Sequence, residues 1–147
     1  MTTDPSNTSA LLGVWILRSY QLEDVASGKR TDTFGPNPSG VLVLHPDGRM
    51  IGVITAKPGA QPATDAERAD AYRNMVAYSG RYRLEPPDGF VTTVDVAWFP
   101  GWVGTKQART YKLDGDRLDI VTAPTKTPRT GDALVRGVLS WEREKAK

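Results

Sequence analysis

Apolar and polar positions alternate along most of this chain, in short runs separated by turn residues. Val14–Val25 alternates and is rich in strand formers. Val41–His45, Arg49–Ala56, Ala77–Leu84, Phe90–Trp98, Gln107–Leu113, Arg117–Thr122 and Leu134–Arg143 continue the series. The breaks between them have turn chemistry: Ser27-Gly28-Lys29, Pro46-Asp47-Gly48, Pro86-Pro87-Asp88-Gly89, Asp114-Gly115-Asp116 and Arg129-Thr130-Gly131-Asp132. Phe34-Gly35-Pro36-Asn37-Pro38 reads as a loop, because two prolines so close cannot donate to a ladder. One segment departs from period two. Thr64-Asp65-Ala66-Glu67 has the form of a capping box, and Ala69, Tyr72 and Val76 recur at helical spacing, which predicts one helix over Asp65–Met75. Lys57–Ala63, with Pro58, Gly59 and Pro62, makes a flexible approach to it. Evenly spaced strands with tight turns predict an all-β fold. Hairpin order along nearly the whole chain favours a single antiparallel barrel over a sandwich, since closure removes edge strands.

The first ten residues, Met1–Ala10, read as a loose tail, and residues 11–147 as one domain. A length of 147 residues with 39% hydrophobic content supports one core without staples. No cysteine is present, which excludes disulfides, thiolate metal sites and a cysteine nucleophile. Basic and acidic residues nearly cancel, 19 against 17, and no Lys/Arg block occurs, so no nucleic-acid footprint is expected. The longest apolar stretches, Val41–Leu44 and Met50–Ile54, are far short of the ~20 residues that span a bilayer. No secretory pattern opens the chain. These features predict a cytoplasmic protein without membrane attachment. No apolar stripe suggests a protein-interaction module, and the oligomeric state is left open.

Leu12-Gly13-Val14-Trp15, followed by Leu17, Ser19 and Tyr20, resembles the Gly-x-Trp opening strand of calycin barrels. Further motifs are similar to a bacterial and fungal lipocalin-like domain family: Phe34–Gly40, His45–Met50, Ala77–Tyr82, Phe99–Thr105, Leu113–Leu118 and Leu139–Arg143. The resemblance spans about Leu11 to Arg143 and implies a lipocalin-like barrel. It also implies that Trp15 stacks on Arg143 to close the narrow end. Relatives often carry a histidine on the strand before the Pro-x-Trp turn. Here that strand reads Thr92-Thr93-Val94-Asp95, so chemistry built on such a histidine is not expected.

Alternate residues of a barrel strand point inward. Large apolar side chains set the phase: Trp15 and Leu17 bring Ser19; Tyr78 and Tyr82 share a face with Gly80; Leu139 and Trp141 bring Arg143; Met50 and Ile54 flank Gly52. Gly52 and Gly80 would leave room in the lumen. Tyr111 and Leu113 turn Arg109 and Gln107 inward, and a buried arginine needs a partner. The connection Phe99–Thr105 places Asp95 roughly opposite Arg109, although Val94 and Val96 leave the phase of Asp95 ambiguous. Asp95 and Arg109 are therefore the candidate catalytic pair, or else a structural ion pair, or Asp95 is simply solvated. Tyr78, Tyr82, Thr93, Trp98, Trp102, Gln107 and Tyr111 are the candidate ligand-binding residues. The expected lumen is apolar, lined by Tyr78, Tyr82, Tyr111 and Leu113. The only histidine, His45, ends a strand and is expected to be exposed.

No nucleotide fingerprint and no metal-ligand cluster occurs, so neither cofactor nor metal is expected. Two functions fit. The barrel could bind a small hydrophobic metabolite as a carrier. It could instead act as a cofactor-independent cyclase, isomerase or lyase, holding a flexible substrate in a reactive shape, with Arg109 stabilising an oxyanion and Asp95 or a tyrosine moving a proton.

Overall fold

A computed structural model describes residues 9–56, 59–126 and 132–145. Nine antiparallel strands follow one another: β1 (Gly13–Asp24), β2 (Arg30–Asp32), β3 (Ser39–Leu44), β4 (Arg49–Thr55), β5 (Met75–Glu85), β6 (Gly89–Ala97), β7 (Lys106–Asp114), β8 (Arg117–Thr122) and β9 (Val135–Arg143). Helix α1 (Asp65–Arg73) precedes β5, and residues 9–11 are helical too, so the end of the expected loose tail, Ser9 and Ala10, is ordered. From β3 to β9 each strand pairs with the next, and β1 pairs with both β3 and β9, which closes an eight-stranded barrel. The short β2 hangs on the far end of β1. All three of its residues are polar and exposed, so no alternation marks it in the sequence.

The turns form as their residues dictate. Gly28, Gly48 and Gly115 occupy positive φ, at 76°, 91° and 60°, where a side chain would be strained. The expected segments Arg129–Gly131, Lys57 and Pro58, and the start of the N-terminal tail lie outside the described residues.

Two β-bulges decide which way side chains face. In the β1–β9 pair, Leu17 lies opposite Trp141 and Ser19 opposite Ser140, so Arg18 is the extra residue. In the β5–β6 pair, Ser79 lies opposite Val96 and Gly80 opposite Val94, so Asp95 is extra. A bulge shifts the phase of everything beyond it by one residue. The first corrects the expectation for Ser19: the lumen receives Tyr20 instead. The second separates Val94, which is buried, from Val96, which is 63% exposed. It also corrects the role of Gly80. A Cβ there would lie 2.0 Å from the Thr93 carbonyl oxygen, so glycine permits a close backbone approach at the bulge. Gly52 does leave room in the lumen, because a Cβ there would meet only ordinary contacts beyond 3.6 Å.

Trp15, Leu17, Leu42, Leu44, Met50, Ile54, Phe90, Leu118 and Trp141 fill the core. Val41, Ile51 and Val53 are exposed on the outer face of β3 and β4, where Val41 pairs with Val53. This corrects the expectation that no exposed apolar stripe exists. The continuous runs Val41–Leu44 and Met50–Ile54 supply apolar residues to both faces of their strands.

Helix α1 begins with the expected capping box: Thr64 Oγ1 accepts from the Glu67 amide, and Glu67 accepts from the Thr64 amide. It ends at Arg73, two residues before the predicted boundary, where the Asn74 amide donates to Ala71 and Asp70 carbonyls. Val76 of the expected apolar stripe already belongs to β5, and no helix residue is buried. Tyr72 fixes the helix to the barrel rim instead. Its hydroxyl donates to the Trp98 carbonyl at 3.1 Å, and Trp98 Nε1 donates to the Tyr72 carbonyl at 3.3 Å.

Candidate functional site

The two ends of the barrel are built differently. At one end Trp15 is fully buried and its Nε1 donates to the Leu11 carbonyl at 2.9 Å. The Arg143 guanidinium lies over the Trp15 ring, 4.3 Å from its centroid. Arg143 Nη1 donates to the Leu12 carbonyl at 2.8 Å, Nη2 donates to the Ala10 carbonyl, and Asp116 stands 3.4 Å from Nε. Every side of this arginine is engaged, and the end is shut.

Toward the other end the lumen keeps a partly open cavity of about 60 Å³. Its wall is mostly apolar. Gly52, Tyr78, Phe90, Trp102 and Trp141 contribute, with Arg109 as the sole charged residue in the lining. Strand β7 alternates strictly, so the burial of Tyr111 and Leu113 carries Gln107 and Arg109 to the inner face as expected. Arg109 is half-buried. Its Nη1 donates to its neighbour's Ala108 carbonyl at 3.0 Å and its Nη2 to Gln107 Oε1 at 3.3 Å. Gln107 Nε2 donates to Thr105 Oγ1, and that hydroxyl donates to the Trp102 carbonyl, so the arginine is tied to the turn Pro100–Trp102. Burial pushes the Tyr78 hydroxyl above its ordinary pKa, against an opposing pull from the adjacent Arg109 charge. The phenol is therefore a neutral donor at physiological pH.

Asp95 is not in this site. As the bulge residue it turns outward and accepts from Arg49 Nη1 at 2.7 Å, at an exposed position. That pairing holds its carboxyl below the usual aspartate range. The β6–β7 register puts Phe90, not Asp95, opposite Arg109. The expected Asp95–Arg109 pair is thereby overturned. The same register turns Thr93 out and Thr92 in, and Thr92 is buried opposite Gln107.

The remaining expected residues divide between the cavity and its surroundings. Trp102 lines it and meets Tyr78 edge-on at 5.1 Å. Tyr82 stacks on Phe90 at 5.2 Å, and burial raises its pKa. Tyr82, Tyr111 and Leu113 pack against the core without lining the cavity, which corrects the predicted lumen wall. Trp98 sits at the rim, 5.2 Å from Trp102, and lines an outer groove of about 330 Å³ together with Phe34, Tyr72, Arg73 and Phe99. Tyr20 and Val76 line both spaces and stand between them. His45 is exposed, its Nδ1 accepting from the Asp47 amide. Phe90 and Trp141 belong to the site although sequence reasoning did not name them for binding. Their in-phase aromatic rings were the available signal, whereas Tyr20 was hidden by the bulge.

Among the described residues no cluster of three His, Asp or Glu side chains could hold a metal, and no helix is long and apolar enough to cross a membrane.

The lipocalin-like domain family matches residues 12–144 of this chain. A stretch of 68 residues is 37% identical to the 4'-hydroxy-3'-methoxypropiophenone carrier protein ppsC of Aspergillus oryzae. That match covers 40% of this chain and 60% of the relative.

Proposed function

Because the chain belongs to the lipocalin-like domain family, we propose that it binds a small hydrophobic molecule inside the barrel and carries it unchanged. The observation that bears most weight is the apolar cavity with Arg109 as its single charged group. Enclosed apolar pockets with a few convergent polar groups are the usual form of small-molecule sites. The carrier name of the similar fungal protein supports the same reading. The cyclase or isomerase reading needs a proton-moving group beside Arg109. With Asp95 outside, Tyr78 is the residue left for that task, and burial keeps its proton on. Carriage is therefore the better-supported function.

Native mass spectrometry of the protein purified from its own cells tests this. A co-purifying small molecule is expected, and it should be absent from Gly52→Leu, whose side chain would project into the cavity. Incubation with the recovered molecule should return it chemically unchanged. Conversion to an isomer or cyclised product would replace carriage by catalysis. Equal ligand retention by Gly52→Leu would move the site out of the lumen.

A further inference from the structure

The charge balance inside the barrel goes one step further than hydrophobic binding. We propose that the molecule taken up is an anion: an apolar body bearing one acidic group, which pairs with Arg109. This rests on the reading of the cavity as a ligand site.

Most arginines of the outer surface have acids beside them; the exposed Arg73 and Arg81 form no ion pair among the described residues. Arg18 pairs with Glu142, Arg49 with Asp95, Arg83 with Glu85 and Arg136 with Glu23. Arg109 likewise has no carboxylate ion pair among the described residues, but unlike Arg73 and Arg81 it is turned to the lumen and lines the cavity. Its cross-strand neighbours are Phe90 and Thr122, and its acceptors are neutral: the Ala108 carbonyl, the Gln107 amide and the Tyr78 hydroxyl. A guanidinium presents five N–H donors in a planar fork suited to an acidic group. Here part of that capacity is unspent, at the wall of an apolar space, and none of it meets a carboxylate among the described residues.

The other polar groups of the wall point to the same ligand chemistry. Trp141 is buried, and no protein group among the described residues accepts from its Nε1. Indole can only donate. The Thr122 oxygen already accepts from the Gly137 amide at 2.7 Å, which leaves its hydrogen to give. The Tyr78 hydroxyl, beside Arg109, is a phenol donor. No carboxylate or histidine lines the cavity. A ligand amine would meet uncompensated positive charge, whereas an acid meets a cation and several donors. Such asymmetry is how a site rejects one class while accepting another.

Size places the ligand's body. A volume of about 60 Å³ is smaller than the ~150 Å³ cavity that accepts benzene. The acid fits at Arg109 only if the body extends past Tyr20 and Val76 into the aromatic groove beside Phe34, Trp98 and Phe99. Movement of those two side chains joins the spaces.

Two fluorescent probes share one body and differ in charge: 8-anilinonaphthalene-1-sulfonate and the neutral N-phenyl-1-naphthylamine. The protein should bind the sulfonate at least ~10-fold more tightly, about 1.4 kcal/mol. Arg109→Met should abolish that preference while still binding the neutral probe, and Arg109→Lys should restore part of it. Gly52→Leu should weaken both. Near-UV circular dichroism checks that each variant keeps its packing, and Arg109→Gln replaces the methionine variant if that one fails to fold. Equal affinity for the two probes, or a preference that survives removal of Arg109, would overturn the anion assignment and leave lumen binding standing. Failure of both probes to bind would overturn lumen binding itself.

Discussion

Each end of the barrel holds an arginine near a tryptophan, and the two arginines are used oppositely. Arg143 is saturated: it covers the Trp15 ring, donates to two backbone carbonyls and faces Asp116. Arg109 touches only neutral acceptors and lines a cavity. A saturated arginine is explained by the fold. One half-buried at an apolar wall with no carboxylate partner among the described residues is not, because even partial desolvation of a cation is unfavourable unless something compensates. The contrast separates closure from binding within one sheet.

The largest effect that would test this contrast is at the shut end. Trp15→Ala should destabilise the protein by about 3–5 kcal/mol, as for other large buried aromatics. Thermal unfolding measures it, and an unchanged melting temperature would mean that the end is not closed by this contact. Arg143→Met should come next, at about 1.5–3 kcal/mol, because it strands the carbonyls of Leu12 and Ala10. Arg109→Met should cost less, about 1 kcal/mol, since the groups it leaves, Gln107 and the Tyr78 hydroxyl, are neutral. Its effect belongs in ligand affinity. A stability loss matching that of Arg143→Met would erase the distinction between the two ends.

Asp95 offers the smallest and sharpest comparison. Because it pairs with Arg49 outside the barrel, Asp95→Asn and Arg109→Met should shift the melting temperature independently, so the double variant shows the sum of the two. Coupling should appear instead between Asp95→Asn and Arg49→Met. The folded carboxyl titrates below its unfolded value. Its stabilising contribution is therefore present above the unfolded pKa and fades as pH falls through the lowered one. Asp95→Asn should flatten the acid limb of stability below about pH 4, and a pH series of unfolding curves reads this directly.

The eight barrel strands, the turns at Gly28, Gly48 and Gly115, the capped start of the helix and the inward face of β7 follow from local rules and were legible in the residues, whereas the all-polar β2 was not. Period two, positive-φ glycines and a Thr-x-x-Glu box act within a few residues of chain. Arg109 could be placed inward because nothing interrupts the alternation from Gln107 to Leu113. Asp95, Thr93 and Ser19 could not be placed this way. Their orientation depends on where an extra residue is accommodated between paired strands, and a bulge at Arg18 or Asp95 leaves no local trace that a single strand must show. The Asp95–Arg109 pair failed because the β6–β7 register, set by both strands and their connection, puts Phe90 opposite the arginine. The outward valines of β3 and β4 follow the same logic: a run of apolar residues is legible, but which of them a neighbouring element covers is not. Sequence alone determined a barrel with an arginine turned toward its inside. Tertiary structure decided that no carboxylate among the described residues pairs with this arginine, because its cross-strand neighbours, set by register, are Phe90 and Thr122.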